Sequence, residues 1–320
     1  MGKPVEHTAV APLGFGCAQL FRLHSARERE AALRTAYDAG IRHFDVAPLY
    51  GLGLAEAELG RFLLGRRGDV TVATKFGLNP AAGASALRAV QGVARRLINA
   101  VPPVKQYLQR RHRPLAGNQV FDAKAANRSL EQSLRLLGVD YIDFFMLHEP
   151  TVKLVERDRP LDFLHLQRDR GRIRSFGVAG PLETVRPVLE RHPTLGAVIQ
   201  HPAPPLGCPG IEFGCPPPCT RLIYGSISGR ITAVRGRLDW LAGRHDAGLA
   251  QFAAQAGRWR KDLARLLLLE QQVGSPSSTV LFGSTDPAHI QELVRPPSSE
   301  EVEAITWLRN WAGVTAPQAS

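Results

Sequence analysis

Short apolar runs without polar alternation recur along this chain, and helical stretches closed by glycine come before several of them. Residues 31–40 lead into 41–45, 130–138 into 139–147, and 167–171 into 173–178, with Gly40, Gly138 and Gly171 at the junctions. A glycine just past a helix takes the left-handed conformation that stops it. A strand apolar on both faces has to be covered on both faces, which is the condition of a parallel sheet flanked by helices. Eight such runs lie near 12–17, 41–45, 70–75, 141–147, 173–178, 196–200, 221–225 and 279–283. Helical stretches fall near 26–39, 54–65, 122–137, 158–170, 182–191, 250–273, 286–294 and 299–312, the first opened by a capping box, Ser25 with Glu28. Eight strands favour a closed α/β (β/α)8 TIM barrel over an open sheet, as one domain spanning the 320 residues. Two segments break the rhythm. An insert at about 79–120 enlarges the loop after the third strand, and 202–219 is a Pro- and Gly-rich loop with three cysteines after the sixth.

A hydrophobic content of 44% supplies a sizeable core, so disorder is excluded as a default. No apolar run reaches the length of a membrane span. The first residues lack the apolar segment of a secretory signal, and four cysteines at uneven spacing do not make a disulfide framework. These features point to a reducing, cytoplasmic setting. The formal charge of +11 raises nucleic acid, an anionic membrane surface or a phosphate-bearing ligand as partners. The excess is mostly arginine scattered along helices, which reads as a solvated surface rather than a nucleic-acid face. The one local exception is 87–113, basic, free of acidic residues and interleaved with aliphatic side chains. That mixture fits either a lid over the mouth of the barrel or a peripheral contact with an anionic surface.

Four ionisable residues stand at the carboxyl ends of these runs. Asp45 ends 41–45 and Tyr50 follows in the same loop, Lys75 ends 70–75, and His148 ends 141–148. In a parallel barrel those ends all open on one mouth, where barrel enzymes do their chemistry. Tyrosine, with a pKa near ~10, is a weak acid at neutral pH, and an ammonium beside it lowers that value. An Asp keeps the lysine charged, and a His orients a carbonyl oxygen. The set suits protonation of a carbonyl while hydride arrives from a cofactor. A lone strand-end Lys is usually a surface residue and a lone His usually structural; all four at the ends of one barrel is a much less probable accident.

The stretch 40–51, GIRHFDVAPLYG, resembles the signature of the aldo-keto reductase superfamily. Similar ordered matches continue through 56–60, 72–77, 129–148, 173–178 and 280–285, so the resemblance runs from about residue 12 to 312 with gaps at the two irregular segments. It implies a (β/α)8 barrel that binds a nicotinamide cofactor across its mouth and interconverts a carbonyl and an alcohol. By position, Tyr50 is then the general acid, Lys75 its partner, Asp45 the partner of Lys75 and His148 the group that orients substrate. Gln200 and Tyr224 would meet the nicotinamide, Gly225 and Ser226 with Ile227 and Ser228 would border the pyrophosphate, and Gly283, Ser284 and Thr285 would receive the adenosine phosphate. Three departures from the family pattern stand out. Ala179 and Gly180 replace the Ser-Asn pair that holds the carboxamide, the loop after the seventh strand lacks Pro-Leu-Gly, and Asp286 follows where a 2′-phosphate usually meets Arg or Lys. NADP(H) is favoured by the family and by the positive charge; Asp286 keeps NAD(H) open. A different class of function is a cofactor-binding but catalytically idle regulatory subunit.

Cys208, Cys215 and Cys219 with His201 offer four potential metal ligands. Their spacing matches no familiar zinc or iron–sulfur pattern, and Pro216, Pro217 and Pro218 stiffen the chain between two of them. Free thiols without a metal are the expectation.

Overall fold

The computed structural model describes residues 12–78, 119–206, 213, 219–242 and 262–313. Eight parallel strands close on themselves in sequence order: β1 Leu13–Gly16, β2 His43–Asp45, β3 Thr71–Phe76, β4 Ile142–His148, β5 Ile173–Ala179, β6 Val198–Pro202, β7 Thr220–Tyr224 and β8 Ser278–Phe282. Closure is made by β1 on β8, with Leu13 opposite Val280 and Phe15 opposite Phe282. The expected barrel and all eight expected strands are present. Around it lie α1 Ala26–Asp38, α2 Ala55–Leu63, α3 Ala123–Leu137, α4 Val152–Asp158, α5 Leu161–Asp169, α6 Leu182–Arg191, α7 Ile231–Ala242, α8 Leu263–Gly274, α9 Pro287–Val294 and α10 Ser299–Gly313. No helix among the described residues is long and apolar enough to cross a membrane.

Local chemistry accounts for the helix ends. Ser25 accepts from the Glu28 amide at the start of α1 while the Glu28 carboxylate takes the Ser25 amide, so both members of the capping box are in place. Gly138 ends α3 at φ +64° with its amide on the Leu134 carbonyl. The helix expected over 158–170 is α5, Leu161–Asp169, and a short helix that was not expected, α4, precedes it. Proline cannot donate a helical hydrogen bond and disfavours helical geometry in the residue before it. Arg159, just before Pro160, accordingly turns left-handed at φ +48° and caps α4. Helix α7 was not expected; Gly236 and three β-branched residues weaken its helical signature. For the helix expected over 250–273, residues 250–261 lie outside the described residues, as do the insert 87–113 and Cys208 and Cys215.

Side chains alternate along each strand, so residues of one parity point into the barrel and the others out toward the helices. Phe44, Val72, Phe76, Phe145, Ile199 and Val280 belong to the core between strands and helices. Ala73, Met146, Ala179, Val198, Leu222 and Leu281 pack together in a separate cluster that fills the interior of the ring. Stepping two residues toward the carboxyl ends from this inner set reaches Lys75 from Ala73, His148 from Met146, Gln200 from Val198 and Tyr224 from Leu222. The parity that builds the core therefore delivers polar groups to the mouth.

At the opposite end, two residues before Asp45, stands His43, 7% exposed. Its Nδ1 is 2.8 Å from Thr71 Oγ1, and that hydroxyl spends its own proton on the Arg42 carbonyl. Nδ1 is thus the donor, and Nε2 is a buried acceptor without a partner among the described residues. Burial drives the imidazole pKa down to about 4. An unfolded histidine takes up its proton near ~6.5, so the unfolded chain binds a proton that the folded one refuses as pH falls from there toward 4. Stability is therefore present above that range and lost on acidification, by about 2 kcal/mol at pH 5 from this residue. Urea denaturation of the wild type and of His43→Asn at pH 7 and 5 measures it; the variant should lose less stability than the wild type over the same interval.

Candidate active site

Asp45, Lys75, His148 and Tyr50 converge as the strand ends predict, on a cleft of about 530 Å³ at the carboxyl mouth. Lys75, 2% exposed, places Nζ 2.8 and 2.9 Å from the two carboxylate oxygens of Asp45. The same nitrogen donates to the Val46 carbonyl at 3.1 Å and to the Tyr50 hydroxyl at 3.3 Å, and it stands 4.9 Å from the Tyr50 ring centre. Gln200 adds a member, its Nε2 donating to Asp45 Oδ1 at 3.0 Å. A carboxylate only accepts, so this contact fixes the amide orientation and leaves Gln200 Oε1 for a donor in the cleft. Asp45, Lys75 and Gln200 come from three strands, and Val46 and Tyr50 from the loop after β2.

Burial is the largest influence on Lys75 and favours the neutral amine, but Asp45 and Tyr50 together outweigh it and hold its pKa above the ordinary value. Lys75 lowers the Tyr50 pKa as expected, but the net shift is upward. Burial raises the phenol pKa more than Lys75 lowers it, and the Asp45 charge adds to the rise. Tyr50 is therefore a protonated phenol at neutral pH, with an ammonium in place to stabilise the phenolate once its proton leaves. Burial first, and Lys75 second, push His148 down to about 3, so its ring is neutral in the cleft. His148 Nδ1 is buried with no hydrogen-bond partner among the described residues.

The proposed cofactor residues divide. Gln200, Tyr224, Gly225, Ser226, Ile227, Ser228 and Gly283 all line the cleft. Ser284 and Thr285 do not. The Ser284 hydroxyl accepts from the Asp286 amide at 3.2 Å and lies 3.2 Å from His289 Nδ1, which commits it to the turn that starts α9. Asp286 caps that helix by accepting from the Ala288 amide. Sequence reasoning missed Gln19 and Arg22, on the 3-10 turn after β1, and Glu149 and His289, all of which line the cleft. Glu149, immediately after His148, was the legible one.

Of the four residues offered as metal ligands, Cys208 and Cys215 lie outside the described residues. His201 Nδ1 is 2.8 Å from the Pro202 carbonyl and its ring packs on Phe213, 5.1 Å between centres. No cluster of three or more metal-ligating side chains occurs among the described residues.

Residues 12–200 match the model of the aldo/keto reductase family. The chain belongs to that family. Among curated aldo/keto relatives, the D-threo-aldose 1-dehydrogenase of Pseudomonas sp is 35% identical over 148 residues, 44% of this chain and 41% of that protein. Pyridoxal 4-dehydrogenase of Microbacterium luteolum is 32% identical over 44% of this chain and 40% of its own length, so the chain matches about two-fifths of either relative. The barrel is similar to a Klebsiella pneumoniae aldo-keto reductase solved in complex with NADPH, at TM-score 0.59 and 19% identity, covering 100% of this chain and 98% of that one. It is also similar to the glycerol dehydrogenase of Gluconobacter oxydans, at TM-score 0.60 and 19% identity, covering 100% and 98%.

The imidazole state is directly measurable. In protein labelled with 15N-histidine, the His148 ring should keep the nitrogen shifts of a neutral imidazole from pH 8 down to 5. A titration centred near ~6.5 would contradict the electrostatics described for the cleft.

Proposed function

We propose that the protein is a nicotinamide-dependent oxidoreductase that interconverts an aldehyde or ketone and an alcohol, with Tyr50 as the general acid and base. The observation that carries this reading is the shared position of Lys75 Nζ, bonded to both oxygens of Asp45 and to the Tyr50 hydroxyl.

The cleft fits a dinucleotide in its donor set. His148 Nδ1 and Ser226 Oγ are buried there without partners among the described residues, and Gly225 and Gly283 offer backbone unobstructed by side chains. Tyr224 and Gln200 would meet the nicotinamide, Gln200 through its amide oxygen Oε1. Ser226 and its neighbours would border the pyrophosphate. Ser284 and Thr285 would act only through the backbone of their turn, because the Ser284 hydroxyl is already engaged. NADP(H) is favoured, in keeping with the family and the cationic chain, although Asp286 sets an acidic residue near the adenosine end; NAD(H) is the alternative. When bound, the cofactor supplies or accepts hydride.

The chain's own residues handle the proton. In reduction, a carbonyl oxygen accepts hydrogen bonds from the Tyr50 hydroxyl and the neutral His148 ring, which polarises the carbonyl. As charge develops on that oxygen, Tyr50 passes its proton to it. Lys75 stabilises the resulting phenolate, and Asp45 holds the lysine charged throughout. In oxidation, the phenolate takes the alcohol proton back. The assembled proton donor weighs against the idle regulatory subunit, which needs none of this geometry.

Tyr50→Phe should lower turnover by at least about 10²-fold, with nicotinamide binding changed less than about threefold, measured at the nicotinamide absorbance over a panel of aldehydes, ketones, polyols and aldoses. Full turnover in the variant would remove Tyr50 from the mechanism. The elevated Tyr50 pKa gives a sign as well: reduction should stay level from pH 6 to 9 and fall only as the phenol ionises, above its ordinary pKa.

A further inference from the structure

Glu149 carries a charge into the cleft that the proton chemistry does not use. It is exposed, it lines the same cleft as Tyr224 and Ala179, and its carboxylate accepts no hydrogen bond among the described residues. Its backbone is held in the left-handed region at φ +53°, a conformation that costs a non-glycine residue of order 1 kcal/mol or more. Three contacts keep it there. The Glu149 amide donates to the Ala179 carbonyl at 2.6 Å, and Gln119 Nε2 donates to the carbonyls of Glu149 at 3.0 Å and of His148 at 3.4 Å. The bend turns the chain sharply after His148 and brings Glu149 against Gly180.

Gly180 makes room for it. A Cβ at position 180 would lie 3.1 Å from Glu149 Cα, 3.3 Å from Glu149 Cγ and 3.2 Å from Thr184 Oγ1. The space that a side chain at 180 would fill is thus taken by the stem of Glu149. The negative charge also reaches Tyr224, whose phenol is raised mainly by burial and next by Glu149, with Glu183 contributing less. Lys75 is bound to both oxygens of Asp45, and Arg22 enters from the loop after β1.

We propose that Glu149 is an electrostatic selector of the cofactor's oxidation state. On the reading that Tyr224 backs the nicotinamide ring, its carboxylate stands beside the part of the ligand that is cationic when oxidised and neutral when reduced. A fixed negative charge there tightens binding of the oxidised form and leaves the reduced form nearly unaffected. The effect biases the protein toward retaining oxidised cofactor. Strain at Glu149 and the bare backbone of Gly180 are the structural means of placing the charge.

Equilibrium titration of the purified full chain with NADP+ and with NADPH, followed by calorimetry, tests this without reference to turnover. Glu149→Gln keeps the shape and removes the charge. It should weaken NADP+ by roughly three- to tenfold, the attenuated range for a partly exposed charge, and change NADPH by less than about twofold. In the wild type the preference should shrink at high salt, whereas in the variant it should be insensitive to salt. An unchanged ratio of the two affinities in Glu149→Gln overturns the proposal, as does an equal loss of both ligands, which would mean a steric or folding role. Wild-type protein that binds neither form, and neither NAD+ nor NADH, overturns the cofactor reading itself, a distinct result. Glu183→Gln, measured in parallel, should shift the ratio less than Glu149→Gln; a larger shift would reassign the selector.

Discussion

Everything at the mouth of this barrel depends on keeping one lysine charged where there is almost no water. A buried ammonium loses several kcal/mol of hydration, and the group neutralises unless a partner compensates. Asp45 provides two oxygens within 2.9 Å, and the Val46 carbonyl takes a third contact. Asp45 is itself buried and is satisfied from the other side by Gln200. Remove any member and its neighbour becomes an uncompensated polar group in a dry site. The pair therefore fixes β2, β3 and β6 relative to one another at the mouth, and it sets the field in which Tyr50 works.

That field acts differently from a bare lysine. Burial holds Tyr50 as a high-pKa phenol against the pull of Lys75, and the lysine's stabilisation is felt mainly by the phenolate. His148, kept neutral by burial and by Lys75, offers hydrogen bonding without adding a second cation beside the first. Glu149, whose carboxylate has no hydrogen-bond partner among the described residues, lies on the side lined by Ala179 and Tyr224. On the proposed reading, proton chemistry and cofactor charge fall to separate groups on adjoining strand ends.

Much of this was legible in the residues because a parallel barrel obeys simple rules. Uninterrupted apolar runs mark its strands, their ends mark one mouth, and a period of two decides which residues look inward. Asp45, Lys75 and His148 follow from that alone. The 3.0 Å contact of Gln200 with Asp45 joins residues 155 positions apart, and no local pattern announces it. Burial decides the direction of the Tyr50 pKa, and burial depends on loops whose paths are not written in periodicity. Pro160 was a readable boundary at the start of the helix expected over 158–170. Gln19 and Arg22 reach the cleft from a short 3-10 turn with no periodic signature, and Glu149 was visible as the residue after a strand-end histidine but not as a strained one.

The proposed role of the buried Lys75–Asp45 pair is to place a charge beside Tyr50 rather than to stabilise the fold. Urea denaturation with turnover measured on the same samples of Asp45→Asn and of Asp45→Asn/Lys75→Met separates these roles. Asp45→Asn leaves a buried ammonium unpaired and should cost about 3–5 kcal/mol, and the double variant should recover most of that stability. Turnover should be lost in both. A double variant that regains activity along with stability would contradict the account.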